Sequence, residues 1–511
     1  MHIGDHAIGA GQAPALIVAD DRTISYGELY ARSQRVAALL CQAGLRRGDG
    51  VALVLPNRPE FLEITWGCQL SELYYSAVNT HFTPDEVAYV VDDAEARAVF
   101  IDASMVDLGA RIRAGNPRVD VHVCVGGALP GWRSYEDALA AAGDAPPVSD
   151  GSEMLYSSGT TGRPKAVRRP LPQDGKGSWA QKVLEYSLTQ RYGMTGSSVY
   201  LSPAPLYHAA GVNYTMAVQR VGAASIVMRK FDAEAVLRLI ESHRITHAQF
   251  VPTMFVRMLK LPDAVRERYD VSSLECVIHA AAPCPVEVKH RMMKWFGPII
   301  HEYYGGTEGF GGTTIGPEEW LAHPGSVGKP WTRVHVVAED GSECAVGESG
   351  ELFFEGGPAF EYFKDPEKTA SVSNDRGWRS LGDMGHVDEE GYLYLTDRST
   401  FMIVSGGVNI YPQEAENLLV MHPKLVDAAV FGVPNEEFGE EVKAVVQPAD
   451  GVAAGRELEA ELIAYCRAHL ATYKCPRTVE FDPDLPRDPN GKLYKRRIRE
   501  RYWQGRTSRI V

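Results

Sequence analysis

No run of apolar residues in this chain approaches the ~18–20 that a membrane-crossing helix needs. The first residues, Met1-His2-Ile3-Gly4-Asp5-His6, carry neither the basic segment nor the apolar stretch of a secretory signal. Cysteine is scarce. Its eight positions (41, 68, 124, 276, 284, 344, 466, 475) form no C-x-x-C pair and no dense framework. That spacing argues against a disulfide scaffold and a structural zinc, and fits free thiols in a reducing cytoplasm. Basic charge is in deficit, with 52 Lys+Arg against 66 Asp+Glu and a net charge of −14. A polyanion needs a basic surface, so nucleic acid is excluded as the main ligand. Residues 487–511 are the exception, with nine basic and two acidic side chains, a net of +7 that leaves −21 elsewhere. Repeats of ~20–50 residues and low-complexity tracts are also missing.

What is present is a chain of 511 residues, 45% apolar and 23% charged, close to a globular average and able to bury a large core. At ~100–200 residues per domain it spans roughly three to four structural units. Apolar strand-like runs at 51–55, 98–101 and 119–125 alternate with helix-period segments. Farther on, a helix over 235–243 precedes a strand over 245–251, Pro252 can open the next helix, and a strand over 274–279 precedes a helix over 286–296 with Gly297 placed to cap it. This order predicts mostly parallel sheets covered by helices. After about residue 325 the spacing of Gly, Glu and Asp turns predicts a smaller antiparallel section, with strands over 351–355 and 391–396. Beyond Asp397-Arg398 a compact mixed segment begins. The expected fold is α/β: a large N-terminal domain over 1–397, a hinge at 398–400, and a small α+β C-terminal domain over 401–511.

The most informative segment is Ser157-Ser158-Gly159-Thr160-Thr161-Gly162-Arg163-Pro164-Lys165, directly after a strand-like Met154-Leu155-Tyr156. Its glycines allow backbone N–H groups to converge, and four hydroxyls plus a lysine add donors suited to a triphosphate. The spacing is not that of a Walker A loop, and composition alone describes a surface loop equally well. Four further motifs follow: Tyr304-Gly305-Gly306-Thr307-Glu308, Ser380-Leu381-Gly382-Asp383, Asp397-Arg398 with Ser405-Gly406-Gly407-Val408-Asn409, and Asn490-Gly491-Lys492. Together, in this order, they resemble the adenylate-forming superfamily of acyl-CoA synthetases, luciferases and peptide-synthetase adenylation domains. The resemblance runs from about Ser25-Tyr26 to Arg499. Departures are Ala166 in place of glycine, Ser380-Leu381 in place of Arg/Lys-Thr, and neutral Thr400 at the hinge.

The resemblance implies a two-step reaction with ATP, Mg²⁺ and coenzyme A, in which a small-molecule carboxylic acid becomes an acyl-adenylate and then a thioester. It implies that Ser157, Ser158, Gly159, Thr160, Thr161, Gly162 and Lys165 hold the β- and γ-phosphates, and that Glu308, with Thr160, holds the metal. One carboxylate suffices there, because Mg²⁺ keeps phosphate and water ligands. Tyr304, Gly305 and Thr307 belong to the adenine motif, Asp383 and Arg398 to the ribose, and Lys492 to the first transition state. Ala281, Ala282, Ser405, Gly406 and Gly407 complete the cofactor-binding set, and the C-terminal domain is implied to rotate as a lid between steps. His208 matches a substrate-side position. Taken singly, most of these would be read as core, turn or surface residues. The run 495–501 is expected to be a solvated helix face, with contact to CoA phosphates as its alternative. Two other patterns fail: His301-Glu302 lacks the second histidine of a zinc-protease motif, and Gly347-Glu348-Ser349-Gly350 is one residue short of a nucleophile elbow.

The resemblance implies that Gly305-Gly306 and 280–282 border the acyl pocket, and their small side chains lead to the expectation of a roomy apolar pocket for a medium or long acyl chain, or for a bulky aryl or alicyclic acid. Competing functions are a free-standing adenylating enzyme that hands the acyl group to an amine or carrier thiol, and a non-catalytic nucleotide-binding protein of the same fold. A cytoplasmic location is expected, and a homodimer is left open.

Overall fold

The computed structural model describes residues 2–18, 22–146, 148–157, 164–172, 178–398, 401–406, 408–487 and 493–504, with the backbone alone for Ser157, Trp179 and Arg398. Two large sheets dominate. One has six strands, all parallel: Gly50–Val54 and Ala96–Asp102 lie at its centre, flanked by Tyr74–Ala77 and Val121–Val125. The other has nine strands, parallel through Val199–Ser202, His247–Phe250, Cys276–His279 and Ile300–Gly305, then antiparallel through Gly312–Ile315. The central strands Ala224–Val227, His247–Phe250 and Cys276–His279 are buried along their whole length. Helices cover both faces, so even their polar members Ser225, His247, Gln249 and His279 are buried.

Local chemistry sets the helix ends. Asp232 caps Ala233–His243 by accepting from the Ala235 N–H, and Pro252 stands in the first turn of Pro252–Leu259, where its missing N–H costs nothing. Gly297 ends Val286–Phe296 at φ +93°, a conformation that favours glycine. The second antiparallel-section strand begins two residues later than expected, at Leu393. The Asp388 carboxylate accepts from the N–H groups of Glu390 and Tyr392, so the turn continues past Gly391.

An antiparallel four-stranded sheet follows in the order Arg333–Val337, Gly350–Glu355, Arg379–Val387, Leu393–Arg398. Residues 403–481 build a separate sheet around the long Leu425–Asn435 and Gly439–Pro448 hairpin, with Thr478–Phe481 added in parallel. The fold class is therefore the expected one, with a large part of parallel and mixed sheets, an antiparallel section and a small α+β part. The eight cysteines are free thiols, five of them buried, as their spacing implied.

The expected solvated face over 495–501 needs correction. In the helix Lys495–Glu500, Arg496 and Arg497 are exposed, but Lys495 is buried with its ammonium 2.8 Å from Glu416. Ile498 packs beneath the hairpin, and Arg499 lies 3.5 Å from Glu440. The run is amphipathic in charge, and its buried side anchors the tail.

A second buried ion pair ties sheet to helix. Lys289 on Val286–Phe296 reaches Glu302 at 2.7 Å and sits over the Trp320 ring, with both charges out of water. Burial alone would raise the Glu302 carboxyl, but the His279 ring and the Lys289 ammonium outweigh it and hold it at about 2. Glu302→Gln leaves the ammonium buried without a countercharge, which should cost ~3–5 kcal/mol. Urea unfolding followed on the large part of the chain checks this. Because the folded-state pKa is depressed, the wild-type advantage should be complete above about 4.5 and shrink as pH falls toward 2.

Candidate active site

The hairpin Leu155–Ser157 and Lys165–Arg168 places Ser157 directly opposite Lys165. Residues 158–163, including Ser158, Gly159, Thr160, Thr161 and Gly162, lie outside the described residues. On its other edge the hairpin pairs with Glu361–Tyr362, and the Phe363 N–H donates to the Ala166 carbonyl at 3.0 Å. This contact brings Asp365 to the lysine. Lys165 Nζ donates to Asp365 Oδ2 at 2.7 Å, and that bond, with the Lys368 N–H, holds the aspartate below the usual carboxylate range.

The strand Ile300–Gly305 supplies the next groups. Tyr304 donates its phenolic proton to Asp383 at 2.6 Å. Asp383 lies in register opposite Arg398 across the Arg379–Val387 and Leu393–Arg398 ladder, so two residues fifteen apart in sequence meet by strand pairing. Past Gly305 the chain turns, and the Gly309 N–H donates to the Gly306 carbonyl at 3.1 Å. Within this turn the Thr307 carbonyl accepts from Arg169, whose other nitrogen lies 3.1 Å from the buried Glu153. Glu308, 9% exposed, accepts on Oε1 from the Tyr362 phenol at 2.6 Å. A carboxylate oxygen held in place by a phenol suits a hard cation such as Mg²⁺.

Other expected positions stand on different elements. His208 is the residue before the helix Ala209–Val221, with its ring 4.8 Å from that of Tyr207. Ala281 follows the strand Cys276–His279 at φ +76°, a left-handed backbone that costs a non-glycine residue about 1–2 kcal/mol. Ser405 ends the strand Ile403–Ser405, and Gly406 turns at φ +57° with its N–H on the Phe438 carbonyl at 2.8 Å. Gly407, Thr400, Lys492 and the Arg398 side chain lie outside the described residues.

At Gly306 the missing side chain does not leave open space. A Cβ on Gly306 would stand 2.4 Å from Glu308 Oε2 and 2.6 Å from the Leu381 side chain, so this glycine makes room for the carboxylate. A Cβ on Gly305 would stand 3.3 Å from the Gly311 carbonyl. Below Gly305, on the face opposite Tyr304, Tyr303 stacks on Tyr214 with ring centres 5.6 Å apart. Gln249 bridges two phenols, donating to Tyr303 at 3.2 Å and accepting from Tyr200 at 3.1 Å. A cavity of about 200 Å³ lies on the Glu302 face, lined by Cys284, Trp320, Thr396, Gln413 and Asn417 among others.

Sequence reasoning missed Arg169, Glu153, Tyr362 and Asp365. Only Asp365-Pro366 carries a local signal, that of a helix start, and the structure confirms it as the cap of Pro366–Ser371. Nothing local points from it to a lysine 200 positions away.

The chain belongs to the AMP-binding enzyme family: that family's profile matches residues 5–361, and the profile of the AMP-binding enzyme C-terminal domain matches 414–492. Within it, the chain is an enzyme of the AMP-forming acyl-CoA ligase group. It is 33% identical over 492 residues to a feruloyl-CoA synthase of Amycolatopsis, covering 94% of each protein. It is 32% identical over 493 residues to a long-chain-fatty-acid–CoA ligase of Mycobacterium tuberculosis, again covering 94% of each. The solved structure of ATP-bound MatB from Rhodopseudomonas palustris superposes with a TM-score of 0.81 at 29% identity, covering 99% of both chains.

The crowding at Gly306 yields a test. Gly306→Ala forces either Glu308 or Leu381 to move, an overpacking cost of ~1–3 kcal/mol. Turnover should fall by ~10-fold or more, and by equal factors for large and small acids. A loss confined to large acids, read in a pyrophosphate-release assay, would show instead that Gly306 faces the acyl group.

Proposed function

We propose that this enzyme activates a compact aryl or alicyclic carboxylic acid with ATP, releases pyrophosphate, and transfers the acyl group from the adenylate to coenzyme A. The single observation that carries the reading is the convergence of Lys165, Glu308 and the Tyr304–Asp383 pair through one set of contacts. In this reading 157–162 and Lys165 hold the β- and γ-phosphates, Tyr304 packs on adenine, and Asp383 with Arg398 accepts and donates at the ribose. Glu308 and Thr160 hold Mg²⁺, which when bound neutralises charge on the phosphates. Lys492 supplies the positive charge needed as carboxylate and α-phosphate approach. A hinge at 398–400 lets the C-terminal part, 401–511, alternate between the two steps, so that Ser405, Gly406 and Gly407 line the thiol's path.

The acid class rests on two rulers. From His208 to Tyr214 the helix descends six residues, ~9 Å at 1.5 Å each. From Gly305 to Tyr303 the strand descends two residues, ~7 Å. The stacked Tyr303 and Tyr214 rings close that depth. On that depth we read the acyl group as a single ring system rather than a long flexible chain. This selects the ring-bearing acids from the broader expectation of a medium or long acyl chain or a bulky aryl or alicyclic acid.

Pyrophosphate release over aliphatic, aryl and alicyclic acids, with and without CoA, tests the reaction and the class together. Aryl or alicyclic acids should lead the panel, and Tyr303→Ala should raise the rate with longer acids by ~10-fold relative to the best short one. A wild-type preference for long chains would overturn the class but not the reaction. Lys492→Ala should lose ~10²–10³ in acid-dependent pyrophosphate release while still converting supplied acyl-adenylate and CoA to thioester. Equal loss of both steps in a folded variant would sink the alternation.

A further inference from the structure

Two catalytic groups of the proposed site, Lys165 and Glu308, lie 143 positions apart in sequence, and one short segment touches both. Glu361–Tyr362 pairs with the phosphate hairpin, Val167 opposite Tyr362 and Arg168 opposite Glu361. From that strand Tyr362 donates to Glu308 at 2.6 Å, and three residues on Asp365 accepts from Lys165 at 2.7 Å. The segment is itself fixed. The Asp365 N–H donates to the Tyr362 carbonyl at 3.0 Å, the Thr369 hydroxyl accepts from the Tyr362 N–H at 2.9 Å, and Asp365 caps the following helix. Tyr362 is 8% exposed and packs on Val167 and Phe360.

A carboxylate has two oxygens and a free torsion. The Tyr362 bond consumes Oε1 and sets that torsion, turning Oε2 toward Gly306, where a Cβ would stand only 2.4 Å away. The phenol donates its proton, so the carboxylate stays an acceptor, and Oε2 is presented at a fixed angle. Groups that orient a metal ligand in this way typically change metal affinity by ~10–100-fold when removed.

We propose that Tyr362 is a positioning residue for the metal: it orients the Glu308 carboxylate and, through its strand, keeps that carboxylate in register with Lys165. The inference rests on the proposed metal role of Glu308. Binding of ATP to the full-length protein, measured calorimetrically without acid or CoA, separates the two. Each of wild type, Tyr362→Phe, Glu308→Gln and the double variant is titrated with ATP in EDTA and over a range of Mg²⁺.

Tyr362→Phe should leave ATP binding in EDTA unchanged and raise the Mg²⁺ concentration for half-maximal tightening by ~10-fold, the lower end of that range because phosphates retain the ion. In the Glu308→Gln background the tyrosine change should add nothing. An unchanged Mg²⁺ response in Tyr362→Phe, with a shifted one in Glu308→Gln, overturns the positioning role alone. Equal weakening in EDTA and in Mg²⁺ also overturns it, since that is the mark of general disruption. An unchanged response in Glu308→Gln overturns the metal reading and this inference with it.

Discussion

The two-residue period of a β-strand is the constraint on which the site depends. In Ile300–Gly305 successive side chains must point to opposite faces. Glu302 is committed to the Lys289 ion pair and Tyr304 to Asp383, so Tyr303 is turned to the other face, where Tyr214, Gln249 and Tyr200 fill the space. A slip of one residue would exchange these sets and bury the wrong groups. The deeply buried Glu302–Lys289 pair makes such a slip costly, because an unpaired charge would be left away from water. One short strand thereby fixes the Glu302–Lys289 contact to a helix, the Tyr304–Asp383 bond and the Tyr303–Tyr214 stack.

The groups around this strand illustrate how polar atoms are satisfied in a site that must also bind ligands. Tyr304 and Asp383 bond to each other, Glu308 to Tyr362, and Lys165 to Asp365. Each bond keeps a charged or polar side chain from wandering. Arg169 does the same for the backbone, holding the Thr307 carbonyl while paired with Glu153. Tyr362, Asp365 and Arg169 thus help organise the site from outside the recognisable motifs. Preorganisation of this kind is what allows electrostatic stabilisation without reorganisation at the moment of reaction.

The C-terminal part follows a different logic. Its core is one long hairpin, Leu425–Asn435 with Gly439–Pro448, and helices pack on it. The tail helix contributes Ile498 to a small apolar cluster and Lys495 to a buried pair with Glu416. Burial raises the Glu416 carboxyl even with that ammonium beside it. The basic run is therefore partly structural, and Arg496, Arg497 and Arg501 are its solvent-facing members.

The sequence by itself determined the class of fold, because apolar runs, helix periods and Gly, Pro or Asp caps are local, and local chemistry chose the elements. It also determined the family, since five motifs in a fixed order are each short and contiguous. It located Lys165, Tyr304, Glu308 and Asp383 for the same reason. The tertiary structure alone decided what those residues touch. Tyr362 and Asp365 reach Glu308 and Lys165 only through a strand pairing that spans roughly 200 positions, and no local pattern encodes such a partner. It also decided what stands beside Gly306. In the sequence a glycine means only that a side chain is missing, but what occupies that space, here the Glu308 carboxylate and Leu381, is set by chain segments brought there by folding.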